Sequence, residues 1–401
     1  MVRRSHHASV LVAAVVGLGA CNVLTGTGDL EVIEPKDDVG GGATAVADGP
    51  SSGSAPNSGA GAGATSTGAG ASSTSSGPGA GTGGGGSCAP CGANQYCEPT
   101  TSTCQCNPGF VMQGGDCVAA APGDPSTHTQ PEVCNMWKSG HVVTTQNPLS
   151  ASGADCDAGT LAQGGILDTL TRINMYRWLA GLGPTSDDAG FDADAQLCAN
   201  LESWWDFSSS ISPHSPPSSS KCYTAEGGAT AGQSNIAWGS GHPAQAIDQF
   251  MQDNGNATTM GHRRWILNPP LDPVGIGYWQ TGGTYGNAEC LRVFGSSGTG
   301  PSPSWVSIPT AGYAPIEMAQ WTWTFHGSLP GIPNAQISML RVDDNAPLAV
   351  DVHQLSQGYG QDCVSWDPSG WTPEAGKTYR VTVSGLGGGD VVYDVKPVSC
   401  N

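Results

Sequence analysis

The densest concentration of reactive side chains in this sequence is a run of cysteines. Six of the fourteen cysteines fall within 30 positions and no histidine lies among them: Cys88, Cys91, Cys97, Cys104, Cys106 and Cys117. The Cys-x-x-Cys start could indicate zinc, but six thiols without a histidine fit a disulfide knot better. Six cysteines allow 15 pairings, so the spacing alone leaves the connectivity open.

A second reactive cysteine closes a short apolar segment at the N-terminus. Arg3 and Arg4 precede an apolar run over 10–18 that is too short to span a bilayer as a stable helix. The run ends in Leu18-Gly19-Ala20-Cys21, which resembles the lipobox of bacterial lipoproteins. The resemblance predicts a signal peptide over 1–20, acylation of Cys21 and anchoring at the outer membrane or cell surface. A plain secretory signal with an incidental cysteine is the alternative.

The composition predicts a disordered stalk and excludes a nucleic-acid partner. Of the 48 residues in 40–87, 45 are Gly, Ala, Ser, Thr or Pro. Such a segment cannot bury enough apolar surface to fold, so we predict a disordered stalk over 21–87.

The net charge is −19, with 14 Lys and Arg against 33 Asp and Glu. Nucleic-acid binding requires a basic surface, and the sequence therefore excludes a nucleic-acid partner.

The end of the cysteine run carries a further resemblance. The pattern Cys104-x-Cys106-x-x-Gly109-Phe110, followed by Cys117, is similar to an EGF-like module spanning 88–118. That resemblance implies the pairs Cys88–Cys97, Cys91–Cys104 and Cys106–Cys117, and a role as a spacer or docking module.

Seven cysteines then remain, an odd number that leaves one thiol unpaired within the chain. We predict the pairs Cys198–Cys222 and Cys363–Cys400, because each lies within one presumed domain. Cys134–Cys156 is a weaker pair, and Cys290 is left over. The unpaired thiol could belong to any of Cys134, Cys156 and Cys290.

Periodicity divides the rest of the chain into two folded regions. After a connecting segment (119–163), apolar residues at helical spacing predict a helix from Ile166 to Leu179, a second with Asp192 or Asp194 as N-cap, and a third starting near Pro243. Short strands around 274–279 and 291–294 follow, so an α/β layered domain is expected over 164–297. Over 305–401 short strands alternate with Gly/Pro turns, including a hairpin across 387–390, which indicates an all-β sandwich that resembles an Ig-like domain.

The central region carries the most informative motifs. They occur in this order: Asn174-Met175-Tyr176-Arg177, Pro213-His214-Ser215-Pro216, Ser234-Asn235-Ile236-Ala237-Trp238-Gly239, Gly261-His262-Arg263-Arg264-Trp265-Ile266-Leu267-Asn268-Pro269 and Val274-Gly275-Ile276-Gly277-Tyr278. This series resembles the CAP superfamily (cysteine-rich secretory, antigen 5 and pathogenesis-related-1 proteins) over about a third of the chain. The resemblance implies an α-β-α sandwich with a large open cleft.

Many CAP members place two histidines and two glutamates in that cleft. His214 and His262 match the histidines, whereas Ser234, followed by Asn235, stands at the first glutamate position and Asp253 at the second. His214, Asp253 and His262 could still hold Zn²⁺ with water in an open position, although losing one carboxylate weakens the case. The alternative is two histidines hydrogen-bonded across a polar, metal-free cleft. We interpret Arg263 and Arg264 as paired with local carboxylates.

Three functions fit these features. The first is a surface-anchored extracytoplasmic binding lipoprotein whose His-lined cleft takes an unknown protein, glycan or lipid. The second is a metal-assisted hydrolase of peptide or cell-wall material that uses His214 and His262. The third is lipid or sterol binding. His-Glu-x-x-His is absent, which excludes a zincin-type protease by motif. Modularity and the altered glutamate positions favour binding over catalysis.

Overall fold

The described part of the chain begins within the cysteine run. A computed structural model describes residues 91–92, 94–98, 101–280, 286–298 and 302–400. The predicted signal peptide, the lipidation site Cys21, the stalk and Cys88 lie outside the described residues. Within the described residues, no helix is long and apolar enough to cross a membrane.

Two small hairpins form the N-terminal region. The strands are β1 (Gln95–Glu98), β2 (Thr103–Cys106), β3 (Phe110–Gln113) and β4 (Asp116–Ala119). β1 pairs antiparallel with β2, and β3 with β4. Disulfides join Cys91 to Cys104 and Cys106 to Cys117, in agreement with the predicted pairs. This region packs on the next domain, because the Asn174 side chain donates to the Pro108 carbonyl at 2.8 Å.

The central domain has three layers. Its elements are α1 (Gln130–Gly140), β5 (Leu149–Ser150), β6 (Thr160–Leu161), α2 (Gln163–Leu179), α3 (Ala189–Glu202), α4 (Ala225–Ala231), β7 (Ser234–Trp238), α5 (Pro243–Gln252), α6 (Gly261–Ile266), β8 (Gly275–Gln280) and β9 (Asn287–Arg292). The three longer strands form an antiparallel sheet in the order β7-β9-β8. One face of this sheet joins α2 and α5 in a large apolar cluster, and the other joins α3 and α4 in a smaller one.

Local sequence explains where the helices begin and end. Helix α1 starts with a capping box, in which Thr129 and Glu132 each satisfy a backbone N–H of the other. The prediction of a helix starting near Pro243 is confirmed, with Pro243 in the first turn of α5. The predicted N-cap of α3 is wrong. Asp188 caps this helix by accepting from the backbone N–H groups of its first turn, whereas the Asp192 carboxylate accepts from the Ile276 N–H on β8.

The C-terminal domain consists of two sheets that enclose one core. Its elements are β10 (Trp305–Ile308), β11 (Gly312–Pro315), α7 (Ile316–Ala319), β12 (Trp323–Gly327), β13 (Gln336–Arg341), β14 (Ala346–Leu348), β15 (Val350–His353), β16 (Asp362–Pro368), β17 (Tyr379–Ser384) and β18 (Val391–Val398). The sheet orders are β10-β12-β16-β15 and β11-β18-β17-β13-β14. Trp323, Trp366 and Tyr379 are fully buried between them. The predicted hairpin is confirmed, since β17 and β18 pair antiparallel across 385–390.

The outer face of the four-stranded sheet lies against the central domain. Val306 and Ile308 on β10 belong to the same apolar cluster as α2 and α5. The register places Thr324 and His326 of β12 opposite these two residues, on the same face. Both polar side chains are therefore buried between the two domains.

None of the three cysteine pairs predicted for the folded domains forms: Cys198–Cys222, Cys363–Cys400 and the weaker pair Cys134–Cys156. Cys198 bonds to Cys290 rather than Cys222, because Cys198 on α3 faces the sheet directly over β9, with 6.0 Å between the Cα atoms. Cys222 bonds instead to Cys156. Contacts across layers, rather than closeness in sequence, decide these partners.

The prediction of Cys363–Cys400 fails for a similar reason. Cys400 bonds to Cys134 at the other end of the folded region, so this disulfide ties α1 to the C-terminus across 266 positions. Cys363 is the free thiol of the described residues and is buried against Met260 and Leu355. Cys290, Cys134 and Cys156, the three candidates for the unpaired thiol, are all bonded.

Candidate functional site

His214 lies in the segment between α3 and α4, and its ring is held by one backbone carbonyl. Its Nδ1 is 2.9 Å from the Ala231 oxygen at the end of α4. A carbonyl oxygen only accepts, so Nδ1 carries the proton and Nε2 keeps its lone pair. Desolvation of the ring is the main reason that the pKa of His214 is lowered from 6.5 to about 4; the hydrogen bond to Ala231 opposes this shift, and the charge of His262 adds to it. His214 is therefore a neutral acceptor at pH 7.

His262 belongs to a closed group of three polar side chains. Its Nδ1 lies 3.0 Å from Asp253 Oδ1 and 2.9 Å from Asn256 Nδ2. The Asn256 amide also donates to Asp253 Oδ1 at 2.8 Å, so it bridges the carboxylate and the imidazole. The second oxygen of Asp253 accepts from the Arg263 backbone N–H at 3.2 Å. Asp253 ends α5 in the left-handed conformation (φ 55°) and its side chain is fully buried.

The two residues at the start of β7 serve the backbone rather than a ligand. Ser234, which stands at the first glutamate position, donates to the Thr230 carbonyl of α4 at 2.8 Å and is buried. Asn235 donates to the His262 carbonyl at 3.0 Å. Asn235 thus fixes the main chain of α6 beside β7, and Ser234 fixes α4.

The predicted residues come together, but not as a metal site. His214 and His262 are close enough for the charge of one to affect the pKa of the other, and Asp253 contacts His262. Within the described ranges, however, no three His, Cys, Asp or Glu side chains are placed to hold a metal ion. The predicted zinc set of His214, Asp253 and His262 does not fit, because both Asp253 oxygens and the Nδ1 atoms of both histidines are engaged in contacts within the protein. We refer to His214, Asp253, Asn256 and His262 as the histidine site.

Two arginines next to His262 join the histidine site to the C-terminal domain. The interpretation of Arg263 and Arg264 as partners of local carboxylates is wrong, because their guanidinium groups bind mainly backbone carbonyls. Arg263 donates to the carbonyls of Met251 (2.6 Å), Gln252 (3.0 Å) and Thr322 (2.6 Å). Burial lowers the pKa of Arg263 to about 10, so the group stays charged at pH 7.

Arg264 binds a loop of the C-terminal domain. It donates to the Ser356 carbonyl at 2.7 Å and to the Gln361 carbonyl at 2.9 Å. The Ser356 N–H donates to the Thr258 carbonyl at 2.8 Å. A Cβ on Gly261 would lie 2.8 Å from the Tyr359 ring, so only glycine fits beside that loop. The loop over 355–361 therefore packs directly against the residues that precede His262.

Two further carboxyl groups escaped the sequence reading. Glu202 at the end of α3 and Glu289 on β9 are fully buried, and burial raises the pKa of each well above its usual range. Their carboxyl oxygens have no hydrogen-bond partner among the described residues. A glutamate between apolar positions of a strand is not distinguishable from a solvent-facing one by periodicity alone.

The fold and the site define an α-β-α domain cross-linked by disulfides, with two histidines beside a β-strand that starts at Ser234. Residues 170–293 match the family model of the cysteine-rich secretory protein family (CAP). The central domain therefore belongs to the CAP superfamily, and its disulfides and membership indicate an extracellular or secreted protein with a binding role. No curated protein and no solved structure matches the chain.

Proposed function

We propose that this protein is a surface-anchored extracytoplasmic binding lipoprotein that presents the histidine site to a ligand or partner. Acylated Cys21 would hold it at the outer membrane or cell surface, and the stalk would carry the folded region away from the bilayer. The EGF-like and Ig-like modules would support the CAP domain rather than carry chemistry.

One observation carries the proposal. The polar atoms expected for catalysis are bound to other protein groups. Both oxygens of Asp253 accept hydrogen bonds, and Ser234 donates to a backbone carbonyl. What remains available is the Nε2 edge of each imidazole, since the described contacts of both rings use Nδ1. Such edges suit hydrogen bonding to a ligand.

Nucleophilic catalysis finds no support at this site. A reactive cysteine needs a lowered pKa and access to solvent. Cys363 is the free thiol of the described residues, and burial raises its pKa to about 12. Metal-assisted hydrolysis likewise lacks a third ligand at the histidine site in the described part of the chain.

Histidine NMR on the full-length protein tests the proposal. Three probes are added in turn: a set of neutral oligosaccharides, a short peptide library and phosphatidylcholine vesicles. The proposal expects one class to shift the ring signals of His214 and His262 while those of His353, on β15 of the C-terminal domain, stay unchanged. If none of the three classes shifts these signals, the binding proposal is wrong.

A second measurement addresses catalysis. Calorimetric zinc titration should give equally weak binding for wild type, His214→Ala and His262→Ala, with His353→Ala as the matched control. Labelled casein and peptidoglycan should remain uncut. Stoichiometric zinc binding that both site variants lose, together with cleavage of either substrate, would establish the hydrolase instead.

A further inference from the structure

The solvent-reaching face of α6 carries more than His262. Gly261, Arg263, Arg264 and Ile266 are buried, so His262 and Trp265 are the side chains of this helix that reach solvent. They lie three positions apart and therefore on one side of the helix. The Trp265 ring contacts the Phe294 ring, with 4.4 Å between the ring centroids and an interplanar angle of 51°. Phe294 is 42% exposed and is the one aromatic ring among the large apolar side chains that stay exposed in the described part of the chain.

This aromatic pair lies along the same segment as the histidine site. Residues 231–235 bind His214 through the Ala231 carbonyl and hold the His262 backbone through Asn235. The backbone N–H of Phe294 donates to the Gln233 carbonyl within the same segment, at 3.3 Å. The side chains of His214, Gln233, Phe294, Trp265 and His262 are each at least partly exposed, and the contacts just described connect the segments that carry them. We call Gln233, Trp265 and Phe294 the aromatic strip.

The polar atoms of the aromatic strip are available for a ligand. Neither the Gln233 side-chain amide nor the Trp265 indole N–H has a partner among the described residues. The amide offers a donor and an acceptor, and the indole offers a donor. His214, neutral at pH 7, adds an acceptor at Nε2. Rings edged by a few uncharged hydrogen-bonding groups are the usual lining of small-ligand sites.

Charge narrows the class of ligand. The strip itself holds no formal charge, and Arg292, which precedes Phe294 by two residues, is paired with Asp194 at 2.7 Å. The chain carries a net charge of −19, which disfavours the approach of anionic polymers. A pyranose ring presents apolar C–H faces to aromatic rings and hydroxyl groups to amide, indole and imidazole groups.

We propose that the aromatic strip is a subsite for a neutral oligosaccharide, stacked on Trp265 and Phe294 and reaching the Nε2 edge of His214. This inference rests on the proposed function and names the ligand class of the same site. It also gives a reason for the contacting rings of Trp265 and Phe294 to remain partly exposed.

The test measures binding of three neutral hexasaccharides (of N-acetylglucosamine, glucose and xylose) to the full-length protein by calorimetry. Polygalacturonate hexamer serves as the anionic counterpart. At least one neutral sugar should bind, and Trp265→Ala and Phe294→Ala should each weaken it by about tenfold, the order expected for losing one aromatic contact. Trp265→Phe keeps a ring but removes the N–H and should fall in between. Trp371→Ala, which removes a partly buried indole from the C-terminal domain, is the control and should leave binding unchanged.

Thermal melts identify any variant that fails to fold. Gln233→Ala, which removes the side-chain amide of the aromatic strip but leaves both rings, serves as a second and milder variant. Three results would overturn the inference: unchanged affinity in both ring variants, tighter binding of the anionic hexamer, or no binding of any neutral sugar. If a peptide or vesicles nevertheless shift the His214 and His262 signals, the proposed binding function stands and only the ligand class is wrong. If no probe shifts them, both fail.

Discussion

Replacing Arg263 by methionine should make the CAP domain unfold separately from the C-terminal domain. The Arg263 guanidinium makes four hydrogen bonds, three to backbone carbonyls and one to Thr324 Oγ1 at 3.2 Å. Two of these partners, Thr322 and Thr324, belong to the C-terminal domain. Methionine fills much of the same space but donates no hydrogen bond, so the carbonyls of Met251, Gln252 and Thr322 would lose this donor in the interior.

Two opposing contributions set how much unfolding free energy Arg263→Met loses. Each hydrogen bond to a charged group is worth about 1.5–3 kcal/mol, and four would give about 6–12 kcal/mol. Burial of the charge opposes this. The shift of the pKa from 12.5 to about 10 corresponds to about 3 kcal/mol. Because the surroundings of the variant can relax, we expect a loss near the lower limit of the difference, about 3–5 kcal/mol.

Urea unfolding followed by tryptophan fluorescence measures this loss. Wild type should unfold in one transition, whereas Arg263→Met should show an earlier transition of the CAP domain. Arg380→Met is the matched control, because Arg380 pairs with Asp394 on the exposed face of β17 and should leave the midpoint nearly unchanged. If Arg263→Met unfolds at the same urea concentration as Arg380→Met, the idea that this arginine joins the domains is refuted.

Three further outcomes can be measured on the same protein. His214 has a folded pKa (about 4) below its unfolded value, so its contribution to stability is lost as pH falls from 6.5 to 4, by up to about 3 kcal/mol. His214→Gln should therefore flatten the pH dependence of the unfolding free energy over that range, and an unchanged slope would contradict a neutral, half-buried ring. The folded-state pKa of Glu289 is raised, so the free energy of unfolding is highest below the unfolded-state pKa of this group and falls as pH rises above it. Glu289→Gln should therefore increase the free energy of unfolding by about 1–3 kcal/mol at pH 7 and by almost nothing at pH 4. An equal effect at both pH values would argue against a protonated carboxyl group. Removing Cys134–Cys400 in Cys134→Ser/Cys400→Ser should cost up to about 5 kcal/mol in calorimetric melts, and an unaltered melting temperature would show that α1 and the C-terminus stay together without the disulfide.

Local signals in the sequence were sufficient for several elements. Pro243 set the start of α5, and apolar spacing gave α2, which ends at Leu179 with Gly181 just beyond it in the left-handed conformation. The hairpin between β17 and β18 followed from alternation and a glycine turn. These features depend on interactions between residues a few positions apart, which composition and spacing record directly.

Partners distant in sequence were decided by packing alone. Cys198 could not be assigned to Cys290, because only the stacking of α3 on β9 brings the two together. The CAP-like motif predicted His214, Asp253 and His262, but Asn256 and the buried arginines entered only with the tertiary structure.

The residues of the histidine site could thus be named from the sequence, whereas their chemical state could not. Whether His214 is neutral or Asp253 is free depends on burial and on hydrogen bonds from α4, α6 and the Asn256 amide. Likewise Trp265 and Phe294 are 29 positions apart, and only the packing of α6 beside the end of β9 makes them one surface. Residue type and order come from the sequence, but solvent exposure, protonation and contact between distant segments arise only when the layers close on one another.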